Sequence, residues 1–150
     1  MTERKSALQR KDEAAQAALE LAYSVGADQV TTAMIAKKLG VSQPALYKYF
    51  SSKEDIWQAV ECYLGARIEQ NISACAAANH DPVNHVRALV LNHLKLVKDY
   101  PALPEIMILR TLRKRKTRVT SQTQTSMLNF RKALVVSIKA AVSKKYFVLI

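Results

Sequence analysis

The chain has 150 residues, of which 49% are hydrophobic, so it can form one small domain or a small head joined to a modest body. Its three glycines and four prolines, with abundant Ala, Leu and Lys, favour helices, and no alternating β-branched run predicts a sheet. The net charge of +11 favours a polyanionic partner, nucleic acid before an anionic membrane. However, residues 1–60 hold only eight of the 23 basic side chains against seven of the 12 acidic ones, so charge alone does not identify a nucleic-acid surface.

The first elements are a basic arm and a long helix. Residues 1–6 are polar and form either a disordered tail or, through Arg4 and Lys5, a contact with phosphates or the minor groove. A helix is predicted from about Ala7 to Val25, and Gly26 ends it. Its buried stripe is predicted to comprise Ala14, Ala18, Leu21, Ala22 and Val25.

Residues 31–52, TTAMIAKKLGVSQPALYKYFSS, are the most informative stretch, because they predict a helix, a tight turn and a second helix. Thr31 or Thr32 can serve as the N-cap of the first helix, which presents one apolar face. Gly40 can adopt the left-handed conformation that ends this helix abruptly, without a Cβ clash. The apolar face consists of Ile35, Ala36 and Leu39.

The second helix of the pair is predicted from Ser42 to Phe50. Ser42 is a favourable N-cap, and Pro44 lies in the first turn, where its missing N–H is no loss. Leu46 and Phe50, four residues apart, face inward. The outward residues are Gln43, Ala45, Lys48 and Tyr49, with Tyr47 to the side.

This arrangement has the chemistry that a DNA major groove requires. Short side chains at Ser42 and Ala45 allow close approach, and the amide of Gln43 combines a donor and an acceptor, which suits adenine. Lys48 can reach a guanine edge or a phosphate, and the Tyr47 hydroxyl has the reach of a phosphate contact. Two short helices joined by a glycine also occur in proteins that do not bind DNA. The alternative is therefore a helical module that binds another protein.

From Ala14 to Val60 the chain resembles the TetR family of bacterial one-component transcription repressors, most specifically over the run GVSQPALYKYFSSKEDI. The resemblance implies an all-α protein, with a three-helix helix-turn-helix DNA-binding head over residues 1–52 and a helical ligand-binding and dimerisation body over residues 53–150. It also implies a double-stranded DNA operator, a homodimer and a small-molecule inducer. Tyr49 is a mild departure, since the family often has His at this position.

Carried over to this sequence, the family pattern makes Ser42 to Phe50 the recognition helix and places Tyr47 and Lys53 at phosphates. Sequence preference is expected from the outward residues at the start of that helix. The expected DNA-binding residues are Thr32, Ser42, Gln43, Pro44, Ala45, Tyr47, Lys48, Tyr49 and Lys53. The predicted function is sequence-specific transcription regulation, by a repressor that an inducer releases from its operator.

The body is predicted to contain four further helices. The first begins after the capping segment SSKED, runs for about 25 residues and, as the connection between head and body, is expected to act as a lever on the recognition helix. The others run from about Val83 to Tyr100, from Pro104 to Arg113 and from Ser121 to Lys144. Their inward residues are predicted to be Val86, Leu89, Val90, His93, Val97, Ile106, Leu109, Leu112, Met127, Phe130, Leu134, Ile138 and Val142.

Two segments of the body depart from a plain helical pattern. Residues 113–118, RKRKTR, form a charge run from Arg113 to Arg118 that is either a solvated loop, a further polyanion contact or a membrane-surface patch. The sequence ends on the apolar residues 146–150, whereas family members usually continue with two further helices. The chain is therefore expected to be truncated or to be a short member of the family.

The remaining side chains predict neither catalysis nor a cofactor. Cys62 and Cys75 show no CxxC motif, and both are expected in the core. The three histidines lack the spacing of a metal site, and no nucleophile or phosphate-loop motif occurs, so no enzyme is predicted. No signal peptide or bilayer-spanning stretch is visible, which predicts a cytoplasmic protein without a membrane partner.

Overall fold

The structure is a computed structural model that describes residues 6–78, 81–114 and 121–144, the side chains of residues 110–114 excepted. Within those ranges all regular elements are helices, which confirms the predicted all-α fold with a helix-turn-helix head and a helical body. The helices are α1 (Ala7–Val25), α2 (Thr32–Leu39), α3 (Gln43–Tyr47), α4 (Lys53–Ala78), α5 (Pro82–Asp99), α6 (Leu103–Lys114) and α7 (Gln122–Ser143), with a short 3-10 turn at Ala27–Gln29.

Some predictions fall outside the described residues. These concern the basic arm with Arg4 and Lys5, the side chains of the charge run at residues 113–118, the side chain of Leu112, His80, and the apolar residues 146–150. In the ranges that are described, no helix is both long and apolar enough to cross a bilayer.

Local capping explains where the helices begin and end. At α1, the Ser6 hydroxyl accepts from the Gln9 N–H at 3.2 Å, while the Gln9 side chain accepts from the Ser6 N–H at 2.7 Å. Gly26 ends α1 with φ +87°, a conformation that an L side chain rarely adopts. Ser121 and Gln124 repeat the same reciprocal cap at α7. The predicted boundaries of both helices are confirmed to within one residue.

Helix α4 is the centre of the packing, because it contacts α1 on the head side and α5 and α7 on the body side. The buried residues of head and body form one continuous cluster around it. At Gly65 the helix approaches α7 so closely that a Cβ atom would lie 2.9 Å from Cγ of Gln122. Beside this crossing, the Thr123 hydroxyl donates to the Glu61 carbonyl oxygen at 2.9 Å. The helix-turn-helix pair is therefore followed by a helix that is fixed within the core.

Some residues of α1, α5 and α7 that were predicted to face inward are exposed, so the predicted faces are wrong at these positions. Val25, Val90, Ile138 and Val142 are each at least 40% exposed, while Leu96, outside the predicted stripe, is buried. Buried as predicted are Leu89, Ile106 and Phe130. Because α7 contacts α4 and α5, only the side that faces these helices is shielded from solvent. Apolar spacing along one helix does not tell which of two adjacent stripes will meet a neighbour.

The two cysteines occupy different environments. Cys75 is buried, as predicted, with its sulfur 3.2 Å from the Asn92 side-chain amide. Cys62 is exposed, so the prediction that it lies in the core is wrong. Its neighbours Val60 and Tyr63 take the inward positions of that turn of α4, and the helical rotation then directs Cys62 towards solvent.

Candidate nucleic-acid interface

The turn between α2 and α3 forms as the sequence predicts. Gly40 takes a left-handed conformation (φ +68°, ψ 30°) and donates to the Lys37 carbonyl oxygen at 3.1 Å. Ser42 then caps α3, its hydroxyl accepting from the Ala45 N–H at 3.3 Å. These local hydrogen bonds set the angle at which α3 leaves α2.

The hydroxyl of Thr32 joins the two helices. Thr31 is the N-cap of α2, because its hydroxyl accepts from the Met34 N–H at 3.2 Å, and Thr32 is left for other contacts. The Gln43 side-chain amide donates to Thr32 Oγ1 at 2.9 Å, and the Tyr47 hydroxyl donates to the same oxygen at 3.3 Å. These partners are eleven and fifteen residues away in the sequence, and no spacing rule suggests that they converge.

Helix α3 is shorter than predicted, because it ends at Tyr47 and not at Phe50. The Tyr49 N–H bonds to the Leu46 carbonyl oxygen three residues back at 3.0 Å, so the chain tightens after the last helical turn. This tightening leads the chain into the start of α4 with Phe50 only 3% exposed. The predicted recognition helix is thus wrong at its C-terminal end, although Leu46 and Phe50 face inward as predicted.

The exposed residues of α3 and of its two capping positions form the surface that we call the α3 ridge. Its members are Ser42, Gln43, Pro44, Tyr47 and Lys48. Tyr47 is 45% exposed even though its hydroxyl is held by Thr32. An aromatic ring that is exposed to this extent can contact a binding partner.

The other predicted DNA-binding residues lie around this ridge. Ala45 is half-buried and lines a shallow cleft of about 180 Å³ together with Lys48, Tyr49 and Arg10. Tyr49 is 40% exposed. Thr32 is half-buried beneath the Gln43 and Tyr47 side chains that it accepts from.

Lys53 is the first residue of α4, and a reciprocal cap fixes its position. The Ser52 hydroxyl accepts from the Asp55 N–H at 3.2 Å, and the Asp55 carboxylate accepts from the Ser51 N–H at 2.8 Å. This arrangement confirms the cap predicted from the SSKED segment. It places Lys53 in the first turn of α4, directly after the segment that links α3 to α4.

Carboxylates pair with part of the positive charge of the head. Arg10 lies 3.4 Å from Glu13, and Lys38 lies 2.6 Å from Glu20. Lys38 lines a cleft between α1 and the end of α5, not the cleft that Lys48 lines. The basic residues of the head therefore do not all point to one surface, and Lys48 is the exposed lysine within the α3 ridge.

Hydrogen bonds between described residues connect the head to the body. Gln16 of α1 donates to the Tyr63 hydroxyl of α4, and the Ala27 N–H donates to the Glu105 carboxylate of α6 at 3.2 Å. Burial, and then a hydrogen bond with the Tyr100 hydroxyl at 3.0 Å, raise the pKa of Tyr63 to about 12, so its phenol is neutral near pH 7. The sequence does not predict either contact, because the partners are 47 and 78 residues apart.

The described residues do not gather the side chains that would hold a metal ion. In residues 6–78, 81–114 and 121–144, no three His, Cys, Asp or Glu side chains gather as metal ligands would. A hydroxyl–imidazole pair does occur, since Ser137 Oγ lies 3.1 Å from His85 Nδ1. It joins α7 to α5 within their packing, and the Ser137 hydroxyl also donates to the Ala133 carbonyl oxygen of its own helix at 2.8 Å.

Known proteins share both the sequence pattern of the head and part of the body. Residues 15–60 match the family described as bacterial regulatory proteins, tetR family. Nucleoid occlusion factor SlmA of Vibrio cholerae serotype O1 is 30% identical over 101 residues, which cover 67% of this chain and 52% of that relative. SlmA of Aliivibrio fischeri is 31% identical over 99 residues, which cover 65% and 50%. The chain thus spans about half the length of the curated relatives it matches.

The same fold occurs in a solved structure, that of the TetR family transcriptional regulator PfmR from Thermus thermophilus. The TM-score is 0.68, and the match covers 91% of this chain and 74% of the other. At 18% sequence identity this likeness shows a shared fold, which includes the head and most of the helical body.

Proposed function

This chain belongs to the TetR family of bacterial regulatory proteins, and on that basis we propose that it binds double-stranded DNA and regulates transcription. The observation that carries the proposal is the α3 ridge, an exposed helix start that Ser42 caps and in which Thr32 holds the Gln43 amide. A helix presented in this way enters the major groove by its N-terminal end, where side chains meet base edges. The ridge supplies groups for both bases and phosphates.

Base recognition depends on the orientation of Gln43. One of its two amide N–H groups donates to Thr32 at 2.9 Å, which leaves the second N–H and the carbonyl oxygen for a base. This pair matches the N7 acceptor and the N6 donor of adenine. A side chain whose rotamer is already fixed loses less conformational entropy on binding. We therefore expect a preference for adenine at one position of each half-site.

Phosphate binding uses the hydroxyls and lysines around the ridge. The Thr32 oxygen accepts from Gln43 and Tyr47, so its own O–H is left to donate to a phosphate. Lys48 in the ridge and Lys53 at the start of α4 add positive charge. Because each neutralised phosphate releases counterions, the affinity for DNA should fall steeply as salt rises.

The regulator acts as a homodimer whose two heads lie in successive major grooves, about one helical turn apart, on a palindromic operator. It is a repressor, and a small-molecule inducer that binds the body releases it. Helix α4 transmits the signal, since Tyr63 contacts Gln16 in the head and Tyr100 in the body. A small rotation of α4 then changes the direction of the α3 ridge. A ligand that binds the body and leaves operator affinity unchanged would remove this step.

Operator selection from random DNA, followed by gel shifts, tests the proposal. Gln43→Ala should relax the preference at one position per half-site by about 1–3 kcal/mol. Gln58→Ala, at an exposed glutamine of α4, is the matched control and should leave the selected sequence unchanged. If Gln43→Ala selects the same sequence as the parent protein, another side chain reads the bases.

Salt dependence separates phosphate contacts from base contacts. Lys53→Ala should weaken all DNA sequences about equally and lower the slope of log affinity against log salt by about one unit. Lys139→Ala, at an exposed lysine of α7, is the control. If the parent protein shifts no DNA at either of two salt concentrations, the protein-interaction module becomes the better explanation of the helical pair.

A second candidate function is suggested by the curated relatives, which are named nucleoid occlusion factors and match more of the chain than the head alone. DNA binding by the α3 ridge serves this function as well as transcription regulation. Deletion of the gene distinguishes the two. Altered transcripts beside the bound DNA sites support regulation, whereas altered placement of cell division relative to the nucleoid, with unchanged transcripts, supports nucleoid occlusion.

A further inference from the structure

A polar cleft between α4 and α5 contains an arginine without a carboxylate partner among the described residues. The cleft has a volume of about 280 Å³. Its polar lining includes Arg67, Gln70, Asn71, Lys95, Asp99 and Tyr100. The Asn71 side-chain amide donates across it to the Asn92 carbonyl oxygen at 3.4 Å, which joins the two helices at this level. The charges of the lining are two cations and one carboxylate.

Contacts within the protein hold the Arg67 guanidinium in a fixed orientation. Its Nε donates to the Tyr100 hydroxyl at 3.1 Å, and its Nη1 donates to the Tyr63 carbonyl oxygen at 3.2 Å. The guanidinium carbon lies 3.2 Å from the centroid of the Tyr63 ring. Two of the five N–H groups of an arginine are thus used on neutral oxygens, and the others remain for a ligand in the cleft. Such a pre-oriented, planar fork matches the oxygens of a carboxylate or a phosphate.

We propose that this cleft binds a small organic oxyanion through Arg67 and Lys95. The volume lies just below the usual range for ligand sites, so a ligand of a few carbon atoms fits best. Asp99 and the amide oxygens of the lining accept hydrogen bonds, so a ligand that also carries hydroxyl groups is favoured over a simple carboxylate. A hydroxy acid or the phosphate ester of a small alcohol has this chemistry.

The cleft is connected to the head by a chain of hydrogen bonds. Arg67 contacts the Tyr100 hydroxyl, which lies 3.0 Å from the Tyr63 hydroxyl, and the latter accepts from Gln16 of α1. An oxyanion that draws the guanidinium towards the cleft weakens its bond to Tyr100 and, through the two phenols, alters the contact with Gln16. The ligand thereby changes the position of the head, a consequence that rests on the proposed DNA-binding function.

Binding is tested on the whole chain without DNA, by titration followed in NMR spectra and by calorimetry. The probes are malate and glycerol 3-phosphate, with malamide and glycerol as their uncharged counterparts. We expect saturable binding of at least one charged probe, and a loss of about tenfold or more in affinity for Arg67→Gln. Lys95→Gln removes an exposed lysine from the lining and should weaken binding by about threefold or more while the protein stays folded.

Lys132→Gln, at an exposed lysine of α7, is the control and should bind like the parent protein. The proposal is overturned if neither charged probe binds better than its uncharged counterpart, or if Lys95→Gln and a folded Arg67→Gln both retain full affinity. If binding follows the expectation, operator affinity is then measured with the same probes in the parent protein and in Tyr63→Phe. The probe should change operator affinity in the parent only; an equal effect in Tyr63→Phe contradicts the connection through the phenols. Because binding is measured without DNA, failure of the DNA-binding proposal leaves the result on the cleft intact.

Discussion

Replacing Gly65 with Ala sets helix propensity against packing at the crossing of α4 and α7. Propensity alone favours Ala in a helix interior by about 1 kcal/mol. At this position, however, the new Cβ would lie 2.9 Å from Cγ of Gln122, 3.2 Å from Oγ of Ser126 and 3.3 Å from the Gln122 carbonyl carbon. Carbon atoms pack best at about 3.5–4.0 Å, and overpacking costs typically about 1–3 kcal/mol. The Gln122 side chain can rotate away, but the backbone atom cannot, so we expect a net loss of about 1 kcal/mol.

Urea denaturation of Gly65→Ala measures this loss. Ser73→Ala, at an exposed position of the same helix, is the control and should stabilise the protein by a few tenths of a kcal/mol. Adding Gln122→Ala to Gly65→Ala removes the nearest contact and should recover part of the loss, in a double-mutant cycle. If Gly65→Ala stabilises the protein as much as Ser73→Ala does, the close approach of α4 and α7 is not present in solution.

Burial is the main cause that raises the pKa of Tyr63 to about 12 in the folded protein. Between pH 10 and pH 12 the phenol therefore ionises only in the unfolded protein. The contribution of Tyr63 to the free energy of unfolding is complete below pH 10 and is lost as the pH rises towards 12. Between about pH 9 and about pH 11 this loss amounts to about 1 kcal/mol, and Tyr63→Phe should remove it in urea denaturation at these two pH values. Thiol labelling should modify Cys62 in the native protein and Cys75 only under denaturing conditions, and equal labelling rates would contradict the packing of α4.

Much of the helix-turn-helix pair was predictable because its determinants are local. Gly40 ends α2, Ser42 caps α3 and Ser52 caps α4 through hydrogen bonds that span three residues or fewer. The length of α3 was not predictable in the same way. Its residues continue a helical pattern to Phe50, but the chain tightens after Tyr47 as it enters α4. A competing tertiary arrangement therefore overrides a weak local preference.

The candidate DNA-binding site also combines features that the sequence predicts with features that only the packing of the helices decides. The exposure of Gln43 and Lys48 follows from the inward positions of Leu46 and Phe50, which the spacing predicts. The spacing does not predict that Thr32 accepts hydrogen bonds from both Gln43 and Tyr47, because this depends on how closely α3 crosses α2.

Sequence by itself determined the family of this chain and, apart from the end of α3, the positions and caps of its helices. The helices and caps could be predicted because they follow from interactions between residues a few positions apart. Only the tertiary structure decided which stripes of α5 and α7 are buried, why Cys62 is exposed, and how Arg67 comes to lie in a polar cleft beside two tyrosines. The physical reason is that packing between helices depends on their separation and rotation. A glycine such as Gly65, with no side chain to signal its role, sets the separation, and residues far apart in the chain set the rotation.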